Sequence, residues 1–126
     1  MANEPNVVPT IDVREADRLR RESVDESSAP LIVDVRERSE MILVRVDGAV
    51  ALPMSELAAR FRELPTDRLL LVMCASGKRS ALAARHLSRN GYRTANVGGG
   101  TDAWVTAGLP IRRGPLEPRE GDPGRL

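Results

Sequence analysis

The chain has one cysteine, Cys74, and it opens the run Cys74-Ala75-Ser76-Gly77-Lys78-Arg79-Ser80. It follows Leu69 to Met73, the most continuously apolar stretch of the sequence. A buried strand is expected there, and the run beyond it reads as a small polar loop entering a helix whose Ala83 and Leu87 face inward. A cysteine at the carboxyl end of such a strand lies where open α/β sheets place their ligands. The free N–H groups and dipole of the helix start favour an anion, and Lys78 and Arg79 add two full charges, so thiolate is favoured over thiol. A cysteine that only packs in a core needs neither Gly77 nor two cations within five residues. His86 is the obvious candidate base, but it lies about eight residues into the helix, roughly 12 Å along its axis from the cysteine. It is expected on the surface, with no Cys–His dyad. Activation then rests with the loop, which suits attack on an electrophile that is already anionic.

The rest of the sequence supplies the elements that must hold this loop. Short apolar runs alternate with helical patterns, the signature of an α/β fold in which a parallel sheet is covered by helices. Asp12 followed by Glu15 has capping-box spacing and opens a helix that turns Val13, Ala16 and Leu19 inward. Leu31 to Val35 and Ala49 to Leu52 read as strands. Ser55 is expected to cap a helix carrying Leu57, Phe61 and Leu64, which Pro65 ends. Asn90-Gly91 reads as a left-handed helix stop, and Thr94 to Val97 as a further strand. Gly98-Gly99-Gly100 lacks the spacing of a dinucleotide cradle and is expected to be a structural turn into a helix from Thr101 to Ala107, with Trp104 in the core.

These motifs together resemble the rhodanese family. The run Cys74-Ala-Ser-Gly-Lys-Arg-Ser80 into Ala81-Leu-Ala-Ala looks like that family's active-site loop. Leu31-Ile-Val-Asp-Val-Arg-Glu37 resembles its early strand, and Gly98-Gly-Gly-Thr-Asp-Ala-Trp104 with Ala107-Gly-Leu-Pro110 its closing turn and helix. The resemblance implies a three-layer α/β fold with a five-stranded parallel sheet and helices on both faces. It implies a sulfurtransferase that takes sulfane sulfur onto Cys74 as a persulfide. The backbone of Ala75, Ser76, Gly77, Lys78, Arg79 and Ser80 would line the pocket, with Asp34 and Arg36 bracing the surrounding loops. The implied partners are a small anionic sulfur donor, such as thiosulfate or a persulfide, and cyanide, a thiol or a protein cysteine as acceptor. Two readings stand beside this one: a non-catalytic binding module of the same fold, and a cysteine phosphatase or arsenate reductase-like enzyme. The latter places its arginine six residues after the cysteine, whereas Arg79 is five after Cys74.

Two departures from the family pattern carry expectations of their own. Where Gly-His-Ile-Pro is common, this chain has Val44-Arg45-Val46-Asp47, and Arg45 faces either solvent or the pocket, solvent being the simpler expectation. Ala75 stands where many thiosulfate-using members carry arginine, which points away from thiosulfate as donor.

The 126 residues fit one domain, and a formal charge of +1 gives no global pull toward nucleic acid or an anionic membrane. One cysteine and one histidine exclude an internal disulfide and a zinc site built from thiolates and imidazoles, and no cofactor or metal is expected. Without a leader-like start or a long apolar run, the expectation is a cytoplasmic protein that touches neither membrane nor nucleic acid. Residues 1–7 are expected to be flexible, 8–112 to form the domain, and 113–126, rich in Pro, Gly and charge, to be a disordered tail.

Overall fold

A computed structural model of the chain describes residues 7–125. The expected flexibility of the N-terminus falls on residues outside this range, apart from Val7. The described elements are β1 (Thr10–Ile11), α1 (Val13–Arg21), β2 (Leu31–Asp34), α2 (Arg38–Leu43), β3 (Arg45–Val46) and β4 (Val50–Ala51), followed by α3 (Met54–Arg60), β5 (Leu70–Met73), α4 (Lys78–Arg89), β6 (Thr94–Val97), α5 (Gly100–Thr106) and β7 (Ile111–Arg112). Five strands form a parallel sheet in the order β1-β6-β5-β2-β4. β5, the strand that delivers Cys74, lies in the middle.

Strand alternation sorts the core into two layers. Leu31 and Val33 of β2, Leu70 and Val72 of β5 and then Cys74 face one side, packed with Leu57, Phe61, Ala83, Ala84 and Leu87 of the α3 and α4 region. Ile32, Leu71 and Met73 face the other side, packed with Val13 and Ala16 of α1 and Trp104 of α5. The α/β class, the five parallel strands and the helices on both faces are as expected. Trp104 is fully buried and donates its indole N–H to the Pro110 carbonyl at 2.9 Å.

α1 starts where Asp12 accepts from the Glu15 N–H at 2.8 Å, as its spacing predicts. α3 starts two residues earlier than expected. Pro53 is its cap residue, and Ser55, inside the first turn, donates its hydroxyl to Glu37 at 2.8 Å instead. Proline's fixed φ explains the earlier start.

Arg45 faces neither solvent nor the pocket. It is 4% exposed, and its guanidinium donates to the Met41 carbonyl at 3.2 Å, the Gly114 carbonyl at 2.6 Å and the Glu120 carboxylate at 2.5 and 3.0 Å. β3, which carries it, pairs antiparallel with β7. The composition of 113–126 predicts a disordered tail, yet the structure gives this segment defined partners as far as Gly124. Gly114 donates to the Ile42 carbonyl, and the Gly121 carbonyl accepts from the Ala51 N–H of β4, both at 2.8 Å. β4 is an edge of the sheet, and this bond covers part of its otherwise open ladder. The sequence signal fails here because a low apolar content predicts disorder only when no buried charge awaits the segment. Arg45→Ala should therefore release the tail while the sheet stays folded. Tryptic cleavage after Arg112, Arg113 or Arg119 should accelerate roughly tenfold or more, since one buried charge pair and several carbonyl bonds are lost. Unchanged cleavage would show that the tail is held by other contacts.

Candidate active site

Cys74 directly follows β5, with its side chain on the α4 side of the sheet, where it is 1% exposed. Three residues then turn the chain into α4. Gly77, the residue before the helix, has φ of 108°, a left-handed conformation that glycine alone adopts without cost. This turn aims the Gly77 N–H at Cys74 Sγ, 3.1 Å away, while the hydroxyl of fully buried Ser80 lies 3.3 Å from the same sulfur. Burial pushes the Cys74 thiol up, but the Ser80 hydroxyl and the backbone N–H groups of Ser80, Gly77 and Ser76 outweigh it and leave its pKa below the ordinary thiol value.

The loop is fastened from behind by α5. Thr101 donates its N–H to the Cys74 carbonyl at 2.8 Å and its hydroxyl to the same oxygen at 3.2 Å, and Asp102 N–H donates to the Ala75 carbonyl at 3.1 Å. The glycine turn is thus structural, as expected. It lets the start of α5 approach the cysteine loop closely enough to bond its carbonyls.

The two cations behave differently from each other. Arg79 is clamped by Glu40 of α2 through two bonds of 2.9 and 2.8 Å. Its guanidinium pushes the Glu40 carboxyl down to about 2, helped by the Glu37 N–H that donates to Glu40 at 2.9 Å. Lys78 is exposed and has no ion-pair partner among the described residues. The thiolate is therefore favoured chiefly by hydrogen bonds, while Arg79, even in its clamp with Glu40, is still attracted to the charge on Cys74.

Asp34 and Arg36 form a buried bidentate pair, and Arg36 also donates to the Val44 carbonyl at 2.7 Å. They fix the segment that carries α2 and Glu40, so any brace they give the cysteine loop runs through Glu40 and Arg79. His86 makes no contact with the cysteine. It is half-buried instead of on the surface, its ring edge-on to Phe61 at 5.3 Å.

One polar neighbour escapes the sequence reading. Asn96 of β6 is 6% exposed, accepts from the Ser80 hydroxyl at 2.6 Å and donates to the Gly77 carbonyl at 3.2 Å. An amide in a fully buried strand is the signal that points to it.

Among the described residues, no group of three or more His, Cys, Asp or Glu is arranged to hold a metal ion, and no helix is long and apolar enough to cross a membrane. Fold and loop define an α/β domain with a single buried cysteine, hydrogen-bonded at sulfur, just beyond the carboxyl end of its central strand. The rhodanese-like domain family model matches residues 1–107. A sulfurtransferase of Allochromatium vinosum is 40% identical over 82 residues, covering 64% of this chain and 77% of that protein. A rhodanese-like domain protein of Staphylococcus aureus superposes with a TM-score of 0.69 at 29% identity, over 77% of this chain and 91% of that one. The thiosulfate sulfurtransferase of Pseudomonas aeruginosa gives 0.71 at 27% identity, over 85% of this chain and 20% of the other. The chain belongs to the rhodanese-like domain family.

Proposed function

We propose that this protein is a sulfurtransferase whose Cys74 accepts a sulfane sulfur, holds it as a persulfide and delivers it to an external acceptor. The observation that carries this reading is the buried Cys74 sulfur facing the Gly77 N–H and the Ser80 hydroxyl at the start of α4. Membership of a family that includes named sulfurtransferases supports it. The thiolate attacks the outer sulfur of the donor. A sulfur–sulfur bond to Sγ forms as the donor's own breaks, and sulfite leaves thiosulfate, or a thiolate leaves a persulfide donor, with the electron pair. An acceptor nucleophile then attacks the outer sulfur and Cys74 departs as thiolate. Loading extends the side chain by one S–S bond, about 2 Å, which carries the reacting atom beyond the buried thiol. The backbone from Ala75 to Ser80 provides the N–H groups that stabilise the charge on the persulfide.

Acceptors of three kinds suit this chemistry: cyanide in an assay, a small thiol, and a cysteine of a partner protein. With no second cysteine in the chain, discharge through an intramolecular disulfide is impossible. The clamp of Arg79 on Glu40 speaks against the phosphatase reading, which needs a free arginine to cradle phosphate. Assays of thiosulfate and of a persulfidated small thiol as donors, beside a phosphate ester, test the proposal. Transfer from at least one donor with no ester hydrolysis is expected. Ester hydrolysis without sulfur transfer contradicts it.

Lys78 is the exposed cation of the loop, so Lys78→Ala should weaken use of thiosulfate about two- to fivefold at low salt and hardly at all at high salt. A neutral donor should show no change. Equal loss with both donors would mean that Lys78 shapes the loop instead of attracting charge.

A further inference from the structure

Ser80 lies between two acceptors. Its Oγ is 3.3 Å from Cys74 Sγ and 2.6 Å from Asn96 Oδ1, and all three residues are buried. A serine hydroxyl has a single proton, so it cannot serve both at once. The orientation of the Asn96 amide is fixed by its other end: Nδ2 donates to the Gly77 carbonyl at 3.2 Å, and reversing the amide would set two oxygens against each other. Oδ1 is therefore an acceptor, and Ser80 is the donor that reaches it.

We propose that Asn96 is a positioning residue that holds the Ser80 proton while Cys74 is a thiol and yields it when the sulfur becomes an anion. In the thiol form, Sγ–H donates to Ser80 Oγ and Ser80 donates to Asn96. Ionisation releases the thiol proton to solvent. The Ser80 proton then turns to Sγ, joining the Gly77 N–H, and Asn96 Oδ1 is left without its donor. Asn96 thus competes with the sulfur for one proton and limits how far the thiolate is stabilised, which keeps it nucleophilic. Its second bond, to the Gly77 carbonyl, fixes the amide so that Oδ1 stays turned toward Ser80. A persulfide anion draws on the same two donors.

This inference deepens the sulfur-carrier reading and rests on it for its purpose, but its readouts need no sulfur donor, so each can fail alone. Alkylation of Cys74 by iodoacetamide is measured against pH for the native chain, Asn96→Ala, Asn96→Val, Ser80→Ala and the double variants, with folding checked by circular dichroism. Removing the amide should lower the midpoint by roughly half a pH unit to one unit, the net effect of one hydrogen bond. Ser80→Ala should raise it, and in the Ser80→Ala background the Asn96 changes should lower it no further. A folded Asn96 variant with an unchanged or raised midpoint overturns the proposal, as does an equal lowering when Ser80 is absent. A second measurement leaves Asn96 intact. The single thiol gives one S–H stretching band, identified by its loss in Cys74→Ser. That band should lie at the lower frequency of a hydrogen-bonding thiol and move up in Ser80→Ala. A native band at the frequency of a non-donating thiol contradicts the proposal.

Discussion

Cys74→Ser should lower sulfur transfer by about a thousandfold or more, to the background rate, while the protein keeps its circular dichroism and unfolds at nearly the native temperature. The reasons lie in the size and acidity of the two side chains. Serine fills almost the same volume, so the core of Val72, Ala83 and Ala84 around position 74 is left without a cavity, and its oxygen accepts from the Gly77 N–H that now faces sulfur. Its hydroxyl stays protonated at neutral pH, and oxygen does not form the sulfur–sulfur bond that the carrier requires. Transfer that persists in folded Cys74→Ser would remove the cysteine from the mechanism altogether.

Gly100→Ala should damage both stability and activity, although residue 100 touches no substrate. An added Cβ at this position would lie 2.3 Å from the Cys74 carbonyl oxygen and 2.6 Å from that of Ala75, far inside contact distance. The backbone φ of 57° adds strain for any residue with a side chain. Both neighbours are backbone, so neither can swing away. Either α5 withdraws and breaks the Thr101 and Asp102 bonds to the loop, or the loop itself shifts and takes Sγ off the Gly77 N–H. The expected cost is about 2–4 kcal/mol in stability, with a loss of transfer rate of about a hundredfold in whatever remains folded. Chemical denaturation and single-turnover transfer measure the two separately. A variant with native stability would show that the glycine turn has slack that the close approach hides.

The layout that these two residues depend on is largely legible in the sequence, since it follows from patterns a few residues long. Leu69 to Met73 reads as a buried strand because every position is apolar, and Asp12 starts α1 because its side chain reaches an N–H three residues away. Cys74, Gly77 and Ser80 are found the same way, by adjacency. What stays illegible is pairing over distance. Arg79 meets Glu40 across 39 positions and Arg45 meets Glu120 across 75, and with 19 basic and 18 acidic residues in the chain, no local rule picks these partners from the others. The same blindness hides the ordered tail, whose fixed point, Arg45, lies in the segment that departs from the family pattern. Asn96 is missed for a different reason: Thr94-Ala95-Asn96-Val97 alternates polar and apolar residues, a pattern in which an amide is unremarkable, and its role appears only when Ser80 and Gly77 stand beside it.

Intact-mass spectrometry addresses the persulfide carrier most directly. The native protein is incubated with thiosulfate or with a persulfidated small thiol, excess donor is removed, and the chain is weighed. One added sulfur atom is expected, present on the native chain, absent from Cys74→Ser, and removed by cyanide or a thiol reductant with regeneration of the starting mass. If no donor adds that mass, or if Cys74→Ser gains it equally, Cys74 is not a sulfur carrier and the domain is better read as a binding module of the same fold.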